Sequence, residues 1–299
     1  APNAPGGAHF DINHWQPLRV PTGSLRDALG HPVVDAARPD SYRDQSFLTP
    51  HWGSVRPFAI PSAAALLPPA PPRHGSQEPY VDALGVRSTG HEAFLRQMTE
   101  VLEISGALND RTKVIAEFWA DGPRSETPPG HWNQLAQGVS IRDGHDIGAD
   151  ARMFLALNGA LLDAGIATWN AKRVYDLVRP VSAIRHLFHG QQVQAWAGPN
   201  LGSRMIAGQD WQPYQDPTFV TPPFSEFTSG HSGFSAASAA VLEGMTGSPR
   251  FFDGVSRIDR DLDRDGQPDL IGEFRAQPGY LRFESGPAAP VVLRWPTFK

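Results

Sequence analysis

Apolar positions recur at helical spacing through the middle of the chain and lose that rhythm at both ends. Phe94, Met98, Val101 and Leu102 fall on one face of a helix starting near His91, and Val114, Ile115, Phe118 and Trp119 mark a second behind the start signal Asn109-Asp110. Past a turn at 123–130, a third helix is predicted over 131–142. A long fourth runs from Asp146 through Phe154, Leu155, Leu161 and Leu162 to Trp169 and beyond. Pro180 ends it or forces a break, because proline has no N–H for a helix interior. Phe234 and the alanines up to Val241 predict one more, opened by Ser229-Gly230-His231 after a Pro/Gly-rich passage near 190–224.

The flanks read differently. The first sixty residues, with Phe47-Leu48-Thr49-Pro50-His51-Trp52-Gly53, suggest an irregular segment wrapped on a core, and Pro68, Pro69, Pro71 and Pro72 make 61–79 a surface linker. After Gly254, strand-like pieces at Tyr280–Phe283 and Val291–Leu293 surround an acidic loop. The expected architecture is mainly α. A helical bundle occupies 81–250, an irregular N-terminal wrap and Pro-rich linker 1–80, and a small β/loop appendage 251–299, all within one structural domain.

Composition narrows the function. At 299 residues and 40% hydrophobic content the chain can bury a sizeable core, and no apolar run approaches the length of a membrane span. A net charge of -5 without any Lys/Arg block disfavours nucleic acid and anionic membranes as partners. The absence of cysteine removes disulfides, thiolate catalysis and iron–sulfur clusters. With only four methionines, the chain has few side chains that peroxide would damage. Its start, Ala1-Pro2-Asn3-Ala4-Pro5-Gly6-Gly7, reads as a processed end, so a secreted or periplasmic location is expected.

The chemistry gathers at two places. Lys172 and Arg179-Pro180 stand seven positions apart, two helical turns, so both cations are expected to project from one face toward one point. Thr228-Ser229-Gly230-His231 offers a hydroxyl, an unobstructed backbone N–H and an imidazole at a helix N-terminus, where free N–H groups hold anions. A point charge, a planar fork, neutral donors and an acid–base group are the parts of a tetrahedral-oxyanion cradle. Taken singly, the cations would be solvated helix-end charges and Ser229 a plain cap. His131 and His145 are assigned to the structure of the bundle. His186 and His189 lack a third ligand and are assigned surface or capping roles.

The two motifs in this order resemble the vanadium-dependent haloperoxidase and type 2 phosphatidic acid phosphatase superfamily, on its chloroperoxidase-like branch. The resemblance takes in Leu108-Asn109-Asp110 to Gly144-His145, with Phe118-Trp119-Ala120-Asp121-Gly122-Pro123 and Pro128-Pro129-Gly130-His131-Trp132-Asn133. It implies a vanadate cofactor, replaceable by phosphate or sulfate, and the oxidation of chloride or bromide by hydrogen peroxide to hypohalous acid. It also implies roles: Lys172 and Arg179 on the oxyanion's oxygens, Ser229 and the Gly230 N–H as neutral donors, His231 as acid–base group, Trp169 and Phe224 lining a halide pocket. An acid phosphatase on the same scaffold and a calcium-stabilised, non-catalytic relative stay open, since vanadate mimics phosphate in shape and charge. Thr228 stands where the family usually has proline. The family's third segment, carrying an Arg and then a His, does not occur in the sequence, so a separate C-terminal chain or fragment is expected to supply both. Homo-oligomerisation stays open as well.

One further cluster points to a cation. Asp261, Asp263, Asp265 and Asp269 take positions 1, 3, 5 and 9 of a loop with Gly266 at 6, the alternation of a calcium loop. Four like charges this close call for a counter-ion, so Ca²⁺ held by these carboxylates and the Gln267 carbonyl is expected. Position 12 is Gly272 where such loops place Glu, and Glu273 follows it.

Overall fold

The computed structural model describes residues 10–28, 30–262 and 265–299, which leaves Asp263 of the acidic loop outside the described residues. Among the described residues the helices are α1 (Gly90–Gly106), α2 (Asp110–Phe118), α3 (Thr127–Asp143), α4 (Ile147–Tyr175), α5 (Pro180–Leu187) and α6 (Gly230–Thr246). Four two-stranded antiparallel hairpins accompany them: β1 (Arg19–Pro21) with β2 (Tyr42–Asp44), β3 (Pro79–Val81) with β4 (Arg87–Thr89), β5 (Gln192–Trp196) with β6 (Ser203–Ala207), and β7 (Glu273–Ala276) with β8 (Val291–Arg294). The mainly α expectation holds. No helix among the described residues is long and apolar enough to cross a membrane.

Local chemistry sets the helix ends. The Thr89 hydroxyl accepts the Glu92 N–H at 3.2 Å while the Glu92 carboxylate accepts the Thr89 N–H at 2.9 Å, a reciprocal cap that starts α1. Asn109 and Thr112 cap α2 in the same way. Helix α3 begins at Thr127, ahead of the expected 131, because Pro128 falls in a first turn whose N–H groups need no helical partner. It ends at Gly144, whose φ of 64° a side chain would oppose.

Two further sequence expectations are corrected. Helix α4 stops at Tyr175, Asp176 turns the chain at φ 46°, and Pro180 opens α5 from an extended Arg179, so Lys172 and Arg179 do not share a helical face. Proline here is a start signal, its fixed φ suiting a first helical residue. Tyr280–Phe283 is not a strand: the Glu117 carboxylate takes the N–H groups of Arg282 and Phe283 at 2.7 and 3.2 Å, and β8 pairs with β7 instead. The 190–224 passage holds the β5–β6 hairpin, with Val193 and Ala195 buried in alternation. Gly106 lets α1 approach β5, since a Cβ there would lie 2.8 Å from the Gln194 carbonyl oxygen. The 61–79 linker is mostly exposed, yet Pro71 and Pro72 are buried and the Tyr175 hydroxyl donates to the Pro68 carbonyl.

The chain divides into two units: residues 1–51, 68–108 and 171–227 form the first, and 52–67, 109–170 and 228–299 the second. In the first, Phe94, Met98 and Leu102 of α1 pack with Val181 and Ile184 of α5, Val193 and Trp211. In the second, Trp132 and Val139 of α3 meet Met153, Leu157 and Leu161 of α4 and Phe234 and Leu242 of α6. Trp132 Nε1 donates to Ser235 Oγ at 3.1 Å across α3 and α6. Val114, Ala276, Leu281 and Leu293 form a smaller cluster joining α2 to the last hairpin.

Asp163 of α4 anchors 52–67 within the second unit. Its buried carboxylate accepts the N–H groups of Phe58, Ala59 and Ile60 at 2.6, 2.8 and 3.0 Å. Burial pushes its pKa up, but the three N–H groups outweigh that and hold it below the usual carboxylate value. A folded pKa below the unfolded one contributes stability above pH 3.8 that is lost as pH falls through the folded value. Asp163→Ala should therefore cost about 2–4 kcal/mol at neutral pH by stranding buried donors. Denaturant unfolding at pH 7 and near pH 3 checks it, and the deficit should shrink in acid.

Candidate functional site

In the first unit the two cations meet at one turn. Lys172, in the last turn of α4, is only 1% exposed, and its Nζ donates to the carbonyls of Ser225 at 2.8 Å and Glu226 at 3.0 Å. The Ser225 hydroxyl donates back to the Lys172 carbonyl at 2.6 Å, tying the turn to the helix end. Arg179, placed by the start of α5, donates from Nε to Thr221 Oγ1 at 2.8 Å, and its Nη1 lies 2.8 Å from Glu226 Oε2. The Phe224 ring faces both charges, with Lys172 Nζ 4.7 Å and the Arg179 guanidinium carbon 5.6 Å from its centroid. Lys172, Arg179 and Phe224 are thus brought together as the sequence suggests. A helix end and a helix start do it, rather than two turns of one helix.

Burial is the main force on Lys172. Together with the charge of Arg179 it lowers the ammonium pKa from 10.5 to about 7, against an opposing pull from Glu226. Among the described residues no carboxylate forms an ion pair with Nζ, whose partners are backbone carbonyls.

In the second unit Ser229 caps α6, its Oγ accepting the Ser232 N–H at 3.2 Å and its carbonyl the Gly233 N–H at 3.1 Å. The N–H groups of Gly230 and His231 have no partner within the helix, and the Ser229 hydroxyl keeps a proton to donate. Ser229 and His231 are exposed. Trp169 lies beside this end, since a Cβ on Gly230 would stand 3.9 Å from its ring. Gly233 lets α6 meet α4, because a Cβ there would be 2.8 Å from Thr168 Oγ1.

Two residues join the site from behind. Asp121, buried and turned at φ 42°, lies 3.9 Å from His231 Nε2 by Oδ2 and 3.0 Å from His131 Nδ1 by Oδ1. Few residues with a Cβ adopt such a φ, though Asp is among the more tolerant. His131 stacks on Trp119 at 4.8 Å. The motif Phe118–Pro123 carries Asp121 without a role of its own, and His131 is expected to be structural; an Asp-Gly pair just after an aromatic helix end is the signal that marks them. Asp121, His131 and Glu126 bring ligand atoms within 4.8 Å of one another, the spacing a metal ion needs, while the His131–Asp121 hydrogen bond alone accounts for those two.

The other residues singled out in the sequence take plainer roles. Asp261 accepts the N–H groups of Asp265 and Gly266 at 3.0 Å each, Asp265 that of Gln267 at 2.9 Å, and Asp269 that of Leu262 at 2.9 Å. These carboxylates close the loop on its own backbone. Asp263 lies outside the described residues, and among those described the loop gives no group of three metal ligands, so calcium finds no support there. The His186 ring lies tilted against Phe10 at 4.8 Å, and His145 Nδ1 lies 3.3 Å from Asp150.

Comparison with known proteins follows the same lines. Residues 152–299 match the family described as the VCPO second helical-bundle domain. The fold is similar to that of an apo-type bacterial vanadium-dependent chloroperoxidase, with a TM-score of 0.68 and 19% identity over 97% of this chain and 55% of that one. The holo-type structure gives 0.66 and 20% identity over 96% and 53%. A bacterial vanadium-dependent iodoperoxidase gives 0.52 and 25% identity over 79% and 45%. The chain spans about half the length of these relatives. Among curated proteins none matches. The match over 152–299 and the fold support a vanadium haloperoxidase-like family.

The lowered pKa of Lys172 has a measurable consequence. Because the unfolded state keeps the proton up to 10.5 while the folded state gives it up near 7, stability should rise with pH between these values. The slope for one proton is at most about 1.4 kcal/mol per pH unit. Chemical unfolding in oxyanion-free buffer should show that rise in the wild type, and Lys172→Met should remove it.

Proposed function

We propose that the chain carries the oxyanion-binding part of a vanadium-dependent haloperoxidase, which turns halide, hydrogen peroxide and a proton into hypohalous acid and water, with chloride or bromide as the halide. One observation carries the reading: an ammonium almost wholly out of water, beside a guanidinium, whose hydrogen bonds among the described residues go to carbonyls. Such a cation is costly to bury and gains most from a bound anion.

The side chains fit a tetrahedral oxyanion. Lys172 has a third proton to donate and Arg179 has further N–H groups, while Ser229 and the Gly230 N–H supply neutral donors. Vanadate, when bound, would supply the electrophilic centre that activates peroxide toward halide. Lys172 would set its charge beside the oxygen that receives the halide's electrons. His231, with Asp121 behind it, would hold and deliver the proton that hypohalous acid requires. Trp169 and Phe224 offer ring surfaces that strip water from a halide and raise its reactivity. That both sets of residues serve one oxyanion rests on the family pattern. So does the place of the third motif's Arg and His, proposed to lie on a C-terminal segment outside these 299 residues.

The 299 residues together with that C-terminal segment should oxidise bromide in the presence of vanadate and peroxide, as a halogenation dye assay would read. Lys172→Met and His231→Ala should each lower the rate by about 100-fold or more. Hydrolysis of an aryl phosphate without any halide oxidation would favour the acid phosphatase reading, and the absence of both activities would overturn the proposal.

A further inference from the structure

An oxyanion site built from two cations gains from leaving them unpaired, yet the turn that faces Lys172 and Arg179 carries a carboxylate. The main-chain carbonyl of Glu226 accepts from Lys172 at 3.0 Å, and its side-chain Oε2 stands 2.8 Å from Arg179 Nη1. That oxygen is buried, and its approach to Arg179 is off the hydrogen-bond line, so it finds no hydrogen-bond partner among the described residues. The contact is one of charge. The Glu226 N–H donates to the Leu177 carbonyl at 3.0 Å, which pins the turn against the segment between α4 and α5.

The pair differs from an exposed ion pair, which is screened by water and contributes little. The Arg179 side chain is 16% exposed and that of Glu226 33%, and the second cation nearby is Lys172, at 1%. With the carboxylate present, two positive charges and one negative leave the group at +1 instead of +2. Glu226 also favours the charged form of Lys172 against burial.

We infer that Glu226 is a specificity-determining residue of the oxyanion site: an internal counter-anion that occupies Arg179 in the absence of ligand and biases the site toward a singly charged tetrahedral oxyanion over a doubly charged one. The inference rests on the reading that Lys172 and Arg179 bind an oxyanion. The physical reason is additive. Every negative charge on the ligand meets the Glu226 carboxylate once, so a dianion suffers the repulsion twice and a monoanion once. Phosphate and vanadate both pass between singly and doubly charged forms near neutral pH, so a fixed carboxylate beside the cations selects which form is held. The residue acts on ligand charge and takes no proton in the reaction.

Two tetrahedral probes keep their charge across the accessible pH range: sulfate as a dianion and perchlorate as a monoanion. Calorimetric titration of the 299-residue chain and its Glu226→Gln variant with each, at matched ionic strength, measures the four affinities. The variant should bind perchlorate about 5-fold and sulfate about 25-fold tighter, the second factor being the square of the first. Glu226→Asp, which keeps the charge, should retain the wild-type preference, and Glu226→Ala repeats the comparison should the glutamine variant unfold. Equal factors for both anions, or no change in either when the wild type binds them, would overturn the inference and leave the oxyanion reading standing. Failure of the wild type and all variants to bind either anion would overturn that reading and the inference with it.

Discussion

An ammonium withdrawn from water has to be held by something, and Lys172 is held by two carbonyls of a single turn. The arrangement around Lys172 in the first unit follows from this. The Ser225 hydroxyl returns to the Lys172 carbonyl, so the end of α4 and the 224–226 turn fix each other. Phe224 then lies under the charge, and Arg179 reaches the same ring from the start of α5. Two hydrogen bonds and a ring offset only part of the desolvation cost, and the remainder persists as a proton held loosely near neutrality.

The second unit handles its chemistry the opposite way. His231 and Ser229 face water at the mouth of α6, and the buried partner is the carboxylate of Asp121, shared between two imidazoles. A proton-transfer group exchanges with solvent readily when exposed, whereas a charge-stabilising group works best in a low dielectric. The division between an open histidine and a closed lysine suits the roles proposed for them. Asp121 keeps its place in a backbone conformation that few residues tolerate, a local strain met by its hydrogen bond to His131.

Much of this was legible in the residues. Helices α1, α2, α4 and α6 announced themselves by apolar period and by polar caps at Asn109 and Ser229, because both signals are local. The charged and acid–base groups proposed for the site are those that the two motifs and the family resemblance single out together. What failed depended on distance. Lys172 and Arg179 were placed on one helical face because nothing in Asp176 itself says that it turns the chain at positive φ. Lys172 finds its carbonyl partners 53 and 54 positions away, so the role of Glu226 could not be read from spacing. Tyr280–Phe283 alternated like a strand, yet its N–H groups are claimed by a glutamate 165 and 166 positions upstream. The acidic loop followed a calcium pattern, while its described carboxylates serve the backbone of the loop.

The interleaving of the two units bears on how the chain folds as it is made. The chain passes from one unit to the other after His51, Leu67, Leu108, Asn170 and Phe227, so neither unit is encoded by a continuous stretch. During synthesis the first unit cannot close until Phe227 has emerged, and by then Met153, Leu157 and Leu161 are already waiting for partners on α6. The second unit completes only with the final hairpin. Completing one unit before the other begins, in order from the N-terminus, is therefore not open to these segments. A single cut near the middle of the chain would divide both units at once, because their segments alternate along it.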